Sequence, residues 1–357
     1  MISALSGSDA AIGGLTKALY TTEVNYVNAN GGIDGHQLQL IILNNQSDPT
    51  VAVAQAKALI SDGVVATFYN GSTSEAKDEV VALEQRAHIV GISPEGLEQY
   101  SNASAYPYYF SDNSADGQVS QALAAFAQQK GFNDVGVLTD GSPQADDYVT
   151  QFKGDATTDS LHIVGSTSYP STATTMTTEL STLKQDGAKT LALFCYSGCG
   201  QVFDSLRQID WSPNVLVSPN IYYTAFTSVA SLGSQTYSAC PYSVEPGQQP
   251  PAGVVTAIKT LAPAIGGESA LDQVLPETAD ALSVLKYAVE KANSTNGAAL
   301  AAALQSMNDQ TFSDPAVAFT FNGQDHSGYQ PNTPNHLMPI CGFSSLGSMD
   351  MPIRVTD

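Results

Sequence analysis

The stretch NANGGIDGHQLQLIILNNQSDP, residues 28–49, holds the clearest structural pattern in this chain. It overlaps the end of a helical pattern of apolar side chains that covers residues 15–29. The glycines that supply the backbone freedom to end a helix and turn the chain are Gly31, Gly32 and Gly35. The apolar run behind them predicts a strand over residues 36–43, and Pro49 suits the first turn of the next helix. The stretch therefore predicts a helix-to-strand joint followed by a strand-to-helix joint, as in an alternating α/β chain.

The same alternation continues along the chain. Further apolar runs predict strands at residues 64–69, 89–92, 135–139, 161–165, 190–196 and 215–218. The segments that follow several of them predict helices at residues 75–87, 148–153, 175–185 and 201–209. Near-continuous apolar strands that alternate with helices imply parallel sheets covered by helices on both faces. We therefore expect an α/β fold.

Two segments interrupt the alternation. Residues 106–114 (YPYYFSDNS) are aromatic and then polar, and residues 242–251 (YSVEPGQQPP) are rich in Pro and Gly. Beyond the second segment the pattern predicts helices at residues 252–262, 277–292 and 297–306 and a strand at residues 316–321. A chain of 357 residues exceeds one ordinary domain. We therefore expect two lobes, between which the chain passes more than once, with a ligand in the cleft.

The charge balance excludes two classes of partner. The chain has 13 Lys and Arg against 34 Asp and Glu, a net charge of −21. Nucleic acid and anionic lipid both need Lys and Arg to neutralise phosphate, so we expect neither as a partner. No run of about 18 apolar residues predicts a membrane-spanning helix. No signal segment precedes Ser3, so Met1 fits either a truncated chain or a cytosolic one.

The four cysteines, Cys195, Cys199, Cys240 and Cys341, allow several states. An even number suits two disulfides in an exported protein, for which three pairings are possible. A metal site is a weaker alternative because no histidine lies near the CxxxC pair in sequence, and four buried free thiols are a further alternative. If the cysteines are oxidised, we favour the pairs Cys195–Cys199 and Cys240–Cys341.

Signatures of catalysis and of metal binding are absent from the sequence. It contains no GxxxxGK[ST] motif, no GxGxxG after a strand, no HExxH and no GxSxG. The five histidines are scattered without zinc-ligand spacing: His36, His88, His162, His326 and His336. Residues 112–117 resemble the start of a calcium loop, but Leu123 stands where a bidentate Glu is needed. We therefore expect no catalytic residue, no metal and no cofactor.

The positive signal is a set of polar residues directly after predicted strands, where ligands gather in an open parallel sheet. The strongest set, Ser72, Thr73 and Ser74, precedes a predicted helix. Hydroxyls and backbone N–H groups at a helix start suit a carboxylate. Ser and Thr are also ordinary N-caps, so helix capping is the alternative role, and one residue can do both.

Several motifs occur together along nearly the whole chain. They are Ala4-Leu5-Ser6-Gly7, Asn28–Gly35, Asp48-Pro49, Ser72–Ser74, Ile92-Ser93-Pro94 and the segment from Thr311 to Gly323. Taken together they resemble those of type I solute-binding proteins of ABC transporters, of the branched-chain amino acid (Leu/Ile/Val) type. Such proteins have two Rossmann-like lobes with parallel sheets flanked by helices, joined by a three-segment hinge. The lobes would here be residues 1–115 plus 246–325 and residues 116–245 plus 326–357.

The resemblance also implies a function. It implies a monomer that captures a small ligand by lobe closure and delivers it to a membrane permease. It further implies an extracytoplasmic protein, periplasmic or secreted or lipid-anchored, whose signal segment is absent here. By position, the ligand contacts of the first lobe would be Ser72, Thr73 and Ser74 and the run Ser93, Pro94, Glu95, Gly96 and Leu97. Those of the second lobe would be Gln144, Tyr196 and Asn220.

The chain departs from the family pattern at four positions, three of which are among these contacts. Ile12 stands where an aromatic residue is common, Leu97 where a Thr is common, and Gln144 where a Tyr is usual. Asn220 falls where an acidic residue commonly receives the ammonium group of the ligand. A buried ammonium requires a partner of opposite charge. The acids that could replace the missing one are Glu95, Asp140 and Glu277.

The resulting hypothesis is a non-enzymatic protein that binds a small amino acid or carboxylate-bearing solute. The carboxylate would lie near Ser72–Ser74, and Tyr196 and Tyr222 would contact the apolar part. Only three arginines occur in the chain, so a singly charged or zwitterionic ligand fits better than a phosphate ester. One alternative is the ligand-sensing domain of a receptor. Another is a hydrolase with Ser93 or Cys195 as nucleophile, although no base lies near either in sequence.

Overall fold

The chain forms two compact units, and it passes from one to the other three times. Unit 1 comprises Met1–Ala115 and Val244–Asn332, and unit 2 comprises Asp116–Ser243 and Thr333–Asp357. The structure, a computed structural model, describes residues 1–7, 10–68, 76–94, 96–219, 221, 235–240, 268–312, 317–331 and 337–342, without the side chains of residues 11, 12, 268–279 and 331.

The elements alternate between strand and helix through most of the chain. The first segment of unit 1 contains β1 (Ile2–Ser3), α1 (Ala10–Ala29), β2 (Leu43–Asn44), α2 (Pro49–Ser61), β3 (Ala66–Phe68), α3 (Lys77–Ala87), β4 (Val90–Ser93), α4 (Glu98–Ser101) and β5 (Tyr109–Ser111). Unit 2 continues with α5 (Asp116–Lys130), β6 (Val135–Thr139), α6 (Pro143–Thr158), β7 (Ile163–Ser168), α7 (Thr177–Gln185), β8 (Thr190–Phe194), α8 (Cys199–Gln208), β9 (Asn214–Val217) and β10 (Thr236–Ala239). The second segment of unit 1 contains α9 (Glu268–Ala292), α10 (Gly297–Leu304), β11 (Val317–Phe319) and β12 (Tyr329–Pro331), and β13 (Ile340–Gly342) belongs to unit 2.

The turn after α1 shows why the chain needs glycine there. Gly31 and Gly32 have positive φ angles of 99° and 72°. A Cβ on Gly32 would lie 1.9 Å from the carbonyl oxygen of His36, so no larger residue fits. The Asn28 side chain accepts a hydrogen bond from the Leu38 amide at 2.7 Å and donates one to the Leu38 carbonyl at 2.9 Å. These contacts fix the joint between the helix and the extended segment behind it.

The strand predicted over residues 36–43 is much shorter than expected. Only Leu43–Asn44 form β2, which pairs in parallel with Ile2–Ser3. Residues 38–42 are half-buried or exposed, and the short β1 does not run alongside them. The apolar pattern is therefore present, but within the described residues most of this segment has no neighbouring strand with which to form a ladder.

The predicted start of the next helix is confirmed. Asp48 caps α2, and its carboxylate accepts hydrogen bonds from the amides of Thr50 and Val51 at 2.7 and 3.1 Å. Pro49 is the first helical residue, where its missing N–H leaves no bond unmade. Buried residues of α2 then pack in a cluster with β1 and α3: Ile2, Ala52, Ala56, Leu59, Ala76 and Val80.

Unit 1 contains parallel strand pairs and one hairpin-like pair in its described part. β3, β4 and β5 form a parallel sheet in that order, and β1 and β2 form a separate parallel pair. β11 and β12 pair antiparallel. In α10, Asn296 caps the helix start, and a Cβ on Gly297 would lie 1.7 Å from the His88 carbonyl oxygen. The first turn of α10 therefore packs directly on the chain between α3 and β4.

One boundary predicted from the sequence needs correction. Residues 326–357 are predicted to belong to the second lobe, but residues up to Asn332 belong to unit 1. The His326 Nδ1 lies 2.8 Å from the Tyr109 carbonyl oxygen, and the ring stacks on Phe110 at 4.0 Å between centroids. The Ser111 amide also donates to the His326 carbonyl at 2.9 Å. These contacts extend the edge of β5, and no local sequence pattern indicates them.

Unit 2 has a six-stranded sheet in the order β13, β10, β9, β8, β6 and β7. Its strands are parallel except β13, which pairs antiparallel with β10. All residues of β6 and β8 are buried, which explains their continuous apolar sequences VGVLT and TLALF. This sheet and its helices match the predicted α/β class.

Helix α5 is an element that the sequence analysis missed. Its sequence, DGQVSQALAAFAQQK, is rich in Ala and Gln and has a weak apolar pattern. Val119, Leu123 and Phe126 are nevertheless fully buried, at helical spacing. Asp116, which the sequence analysis considered only as part of a calcium-like loop, is the first residue of this helix.

All four cysteines are paired in the structure. Cys195 is bonded to Cys199, and Cys240 is bonded to Cys341, the pairs favoured from the sequence. Cys240 follows β10 and Cys341 lies in β13, so the second disulfide crosses the antiparallel pair at the edge of the sheet. The helix predicted at residues 252–262 lies outside the described residues. No helix in the described segments is both long enough and apolar enough to span a membrane.

Candidate functional site

The described residues include six of the twelve predicted ligand contacts: Ser93, Pro94, Gly96, Leu97, Gln144 and Tyr196. The other six lie outside the described residues: Ser72, Thr73, Ser74, Glu95, Asn220 and Tyr222. The side chains of Ile12 and Glu277 are also outside them. Three of the described residues belong to polar clusters, Ser93 in unit 1 and Gln144 and Tyr196 in unit 2.

In unit 1, Ser93 lies beside a buried lysine. Ser93 ends β4 and Lys77 begins α3. The Lys77 Nζ donates to the Ser93 Oγ at 3.3 Å and lies 5.4 and 5.1 Å from the ring centroids of Tyr100 and Tyr109. A cation over aromatic faces is stabilised by their electrons, which compensates part of its lost hydration. The cluster places positive charge next to the Ser93 hydroxyl, an arrangement that suits an anionic group.

A buried carboxyl group lies in the same unit. The Thr67 hydroxyl donates to the Glu84 Oε1 at 2.5 Å, and a Cβ on Gly91 would lie 2.8 Å from the Glu84 Oε2. Burial raises the pKa of Glu84 to about 7, while the Thr67 hydrogen bond and the positive charge of Lys77 act in the opposite direction. Glu84 therefore packs against β3 and β4, and the close approach of its carboxyl group requires glycine at residue 91.

Gly96 and Leu97 have packing roles in the loop after β4. A Cβ on Gly96 would lie 2.0 Å from the Ser114 carbonyl oxygen, so only glycine allows the loop to pass this backbone. The Leu97 side chain is buried in an apolar cluster with Val81, Tyr100 and Tyr109. The position at which the resemblance implies a carboxylate-binding Thr therefore contributes to the core of unit 1 in this chain.

In unit 2, Gln144 binds a buried aspartate. Gln144 is in the first turn of α6 and Asp116 begins α5. The Gln144 Nε2 lies 2.9 Å from each of the two carboxylate oxygens of Asp116. Sequence reasoning did not identify Asp116 as part of a site, because the residues that meet it are 28 positions or more away. The one feature of the sequence that could have indicated Asp116 is its position as an acidic residue at the start of a helix.

Tyr148 connects this pair to Tyr196. Tyr148 lies one turn after Gln144 on α6 and is buried. Burial is the largest cause that raises its pKa, followed by the negative charge of Asp116 and the charge of Tyr196, with hydrogen bonds to both. The structure therefore brings Gln144 and Tyr196 together through Tyr148 and Asp116, at the carboxyl edge of the unit 2 sheet.

The loop that carries Tyr196 is held at several points. The amides of Tyr196 and Ser197 donate to the Asp140 Oδ2 at 2.7 and 2.6 Å. The Tyr169 hydroxyl donates to the Ser197 carbonyl at 2.7 Å. The Cys195–Cys199 disulfide closes the loop on itself. Tyr196 is half-buried.

The described site favours binding over group transfer. The Lys77 ammonium donates to the Ser93 Oγ, so this neighbour is a hydrogen-bond donor and not a base that could take the serine proton. Cys195, the other nucleophile considered, is disulfide-bonded. The two clusters instead combine hydroxyl, amide and tyrosine groups with one buried cation and one buried carboxylate, which are groups that recognise polar ends of small molecules.

Comparison with known proteins gives a match over most of the chain. The sequence model of a family described as periplasmic binding protein matches residues 1–333. The Leu/Ile/Val-binding protein homolog 4 of Brucella abortus (strain 2308) is 26% identical over 125 residues, which cover 32% of this chain and 30% of that protein. The match thus spans less than a third of the length of the curated relative.

Solved structures extend the similarity to the whole fold. A periplasmic binding protein type 1 from Bordetella pertussis Tohama I superposes with a TM-score of 0.83 at 18% identity, covering 99% of this chain and 98% of that one. The branched-chain amino acid transporter substrate binding protein LivJ from Streptococcus pneumoniae, solved with isoleucine, gives a TM-score of 0.76 at 17% identity, covering 99% and 97%.

Proposed function

The chain belongs to the periplasmic binding protein family, and on this premise we propose that it is the substrate-binding component of an ABC importer. Its ligand is a small amino acid or another carboxylate-bearing solute. Proteins of this family are extracytoplasmic, and we propose the same location here, as a monomer that delivers its ligand to a membrane permease. The fold shared with the Streptococcus pneumoniae protein solved with isoleucine supports this ligand class.

The observation that carries the proposal is the polar cluster at the carboxyl edge of the unit 2 sheet. Gln144 and Tyr148 contact one buried carboxylate, that of Asp116, and Tyr148 also contacts Tyr196. Ligands of open parallel sheets bind outside the carboxyl ends of the strands. A half-exposed tyrosine beside buried polar groups offers one face for an apolar side chain and nearby groups for a polar end.

The positive charge of Lys77 in unit 1 supports the proposal that the ligand carries a carboxylate. Lys77 places an ammonium next to Ser93, one of the predicted ligand contacts. We propose that Ser72–Ser74 and Ser93 bind the carboxylate, and that Tyr196 and Tyr222 contact the apolar part. The scarcity of arginine, with three in the chain, disfavours ligands that carry several negative charges.

The proposal is tested by a thermal-shift screen of the purified protein. The panel contains aliphatic and aromatic amino acids, carboxylates without an amine, sugars and polyamines. A ligand that binds only the folded state, at about 100 times its dissociation constant, adds about 2.7 kcal/mol of stability. We expect a shift with an amino acid or a carboxylate, confirmed by calorimetric titration.

The pattern of shifts distinguishes the remaining possibilities. Shifts with aliphatic amino acids only mean that another acid replaces the one missing at Asn220. Shifts with carboxylates that lack an amine mean that Asn220 marks a change of ligand class. No shift with any amino acid or carboxylate would contradict the proposal and favour a sensor of a different ligand. Recovery of the bound compound unchanged after incubation distinguishes binding from turnover.

A further inference from the structure

We propose that Asp140 is a positioning residue that holds Gln144 and Tyr196 in a fixed arrangement relative to each other. The inference rests on the proposed function, because these two residues are the described ligand contacts of unit 2. Asp140 follows the last residue of β6, between the strand and α6. It contacts both loops that carry the two residues, although the β6 loop and the β8 loop are more than 50 residues apart in sequence.

One carboxylate oxygen of Asp140 fixes the start of α6. The Ser142 amide donates to the Asp140 Oδ1 at 3.0 Å, and the Ser142 hydroxyl donates to the same oxygen at 2.7 Å. Ser142 is the N-cap of α6, whose second residue is Gln144. The position of Ser142 therefore determines the position of the Gln144 backbone, from which its side chain extends.

The other carboxylate oxygen fixes the turn after β8. The amides of Tyr196 and Ser197 both donate to the Asp140 Oδ2, at 2.7 and 2.6 Å. Two adjacent amides that point to one anion form a nest, and hydrogen bonds to a charged acceptor are about twice as strong as neutral ones. The backbone of Tyr196 is thereby tied to the same group as the start of α6.

Only a carboxylate satisfies this arrangement. Its two oxygens accept four hydrogen bonds, all from groups of unit 2, and Asp140 is 6% exposed. An asparagine has one acceptor oxygen, and its NH2 group would face two of the donors. Because its four hydrogen bonds are already made within the unit, Asp140 acts through other residues and is not the acid that receives a ligand ammonium.

The test compares Asp140→Asn with Asp134→Asn. Asp134 precedes the other end of β6 and binds Lys189 and His162 at the surface, at 2.6 and 3.2 Å. Both changes remove one carboxylate from a residue that flanks β6, but it is the Asp140 carboxylate that accepts hydrogen bonds from the Tyr196 loop. We expect Asp140→Asn to speed hydrogen exchange of the Tyr196 and Ser197 amides at least tenfold, measured by NMR. Asp134→Asn should leave these rates within twofold of wild type.

Binding is measured by calorimetry with leucine, isoleucine and valine as probes. We expect Asp140→Asn to raise the Kd at least tenfold, and Asp134→Asn to change it less than twofold. A positioning role predicts that the effect disappears when the positioned group is removed. In a background that carries both Gln144→Ala and Tyr196→Ala, Asp140→Asn should therefore raise the Kd by no more than two- to threefold. An equal loss in both backgrounds would show general destabilisation and overturn the proposal.

Two further outcomes separate this inference from the proposed function. If Asp140→Asn does not fold, the hydrogen-exchange rates of the Tyr196 and Ser197 amides are measured in the wild-type protein. Slow exchange of these amides supports the proposal, and fast exchange would overturn it. If wild type binds none of the three probes while exchange rises tenfold in Asp140→Asn, the branched-chain amino acids are excluded as ligands and the role of Asp140 in holding the loop is supported. Unchanged exchange in Asp140→Asn overturns that role whether or not the probes bind.

Discussion

The partner that a residue meets in the fold can change its role. From the sequence, Gln144 is a departure from a position where a tyrosine is usual. In the structure its amide lies against both oxygens of Asp116, so glutamine suits this site because it can donate hydrogen bonds to a buried carboxylate. Leu97 is the opposite case, since its side chain packs with Tyr100 and Tyr109 in the core.

Glu84 gives a prediction at the residue scale about pH. Its pKa is raised from 4.5 to about 7 in the fold, mainly by burial. Between these values the unfolded chain releases the proton while the folded chain retains it. The contribution of Glu84 to the free energy of unfolding is thus fully present below about pH 4.5 and is lost as the pH rises to about 7. The total change is roughly 3 kcal/mol.

We therefore expect Glu84→Gln to reduce the loss of stability between pH 5 and pH 8. The free energy of unfolding in urea, measured at both pH values, checks this. Glu79→Gln is the matched control, because Glu79 lies exposed on the same helix, α3. An unchanged difference between the two pH values in Glu84→Gln would contradict the role assigned to this carboxyl group.

A second residue-scale prediction concerns Ser72 and Thr73, which lie outside the described residues. If their hydroxyls bind the ligand carboxylate, replacing both with Ala should weaken binding by about 1–3 kcal/mol, because a charged group loses hydrogen bonds. The Kd of the best compound in the screen measures the effect. Thr157→Ala serves as the control, since its hydroxyl donates only to the backbone of α6 at Lys153. Equal affinity in wild type and variant would leave helix capping as the role of Ser72 and Thr73.

At the scale of elements, the accuracy of prediction depended on whether an element is buried on both faces. Strand β6 is correctly predicted at residues 135–139, because every one of its residues is buried and apolar or small. Helix α5 was missed because alanine and glutamine dilute its apolar pattern. Of the strand predicted at residues 36–43, only the end forms, as Leu43–Asn44. A strand requires a hydrogen-bonded neighbour, and sequence periodicity does not show whether a neighbouring strand is present.

The two disulfides give a prediction for the edge of the unit 2 sheet. Cys240 and Cys341 are 101 residues apart, whereas Cys195 and Cys199 are separated by 4. A disulfide restricts the unfolded chain more when it closes a longer loop. We expect Cys240→Ser with Cys341→Ser to lower the free energy of unfolding by about 2–4 kcal/mol. Cys195→Ser with Cys199→Ser should lower it less.

Equilibrium unfolding in urea under non-reducing conditions measures both differences. Mass mapping of the wild-type protein without reductant should first show the Cys240 and Cys341 peptides linked. Free thiols at both residues would contradict the pairing. A larger loss of stability for the short pair would show that local strain or packing, and not loop length, dominates the contribution of these bonds.

At the scale of the whole molecule, the net charge of −21 dominates the electrostatics. Carboxylates on the surface repel each other in the compact state more than in the unfolded chain. Raising the salt concentration from about 0.01 M to about 0.15 M shortens the screening length from about 30 Å to about 8 Å. We therefore expect the melting temperature at pH 7.5 to rise over this range of sodium chloride.

The same titration at about pH 5 is the control, because protonation then removes part of the negative charge. The salt effect should be smaller there. A fall of the melting temperature with salt at pH 7.5 would mean that local ion pairs, such as Lys189 with Asp134, outweigh the repulsion between carboxylates.

The sequence by itself determined the α/β class, the family and the polar loops in which a ligand site is sought. These features are local, because period-2 and helical patterns, glycine turns and the Asp48–Pro49 helix start act within a few residues. Only the tertiary structure decided which side chains meet. The contacts of Asp116 with Gln144, of Asp140 with Tyr196 and of His326 with Tyr109 join residues 28, 56 and 217 positions apart. Such contacts depend on strand order and helix packing, so no local pattern encodes them.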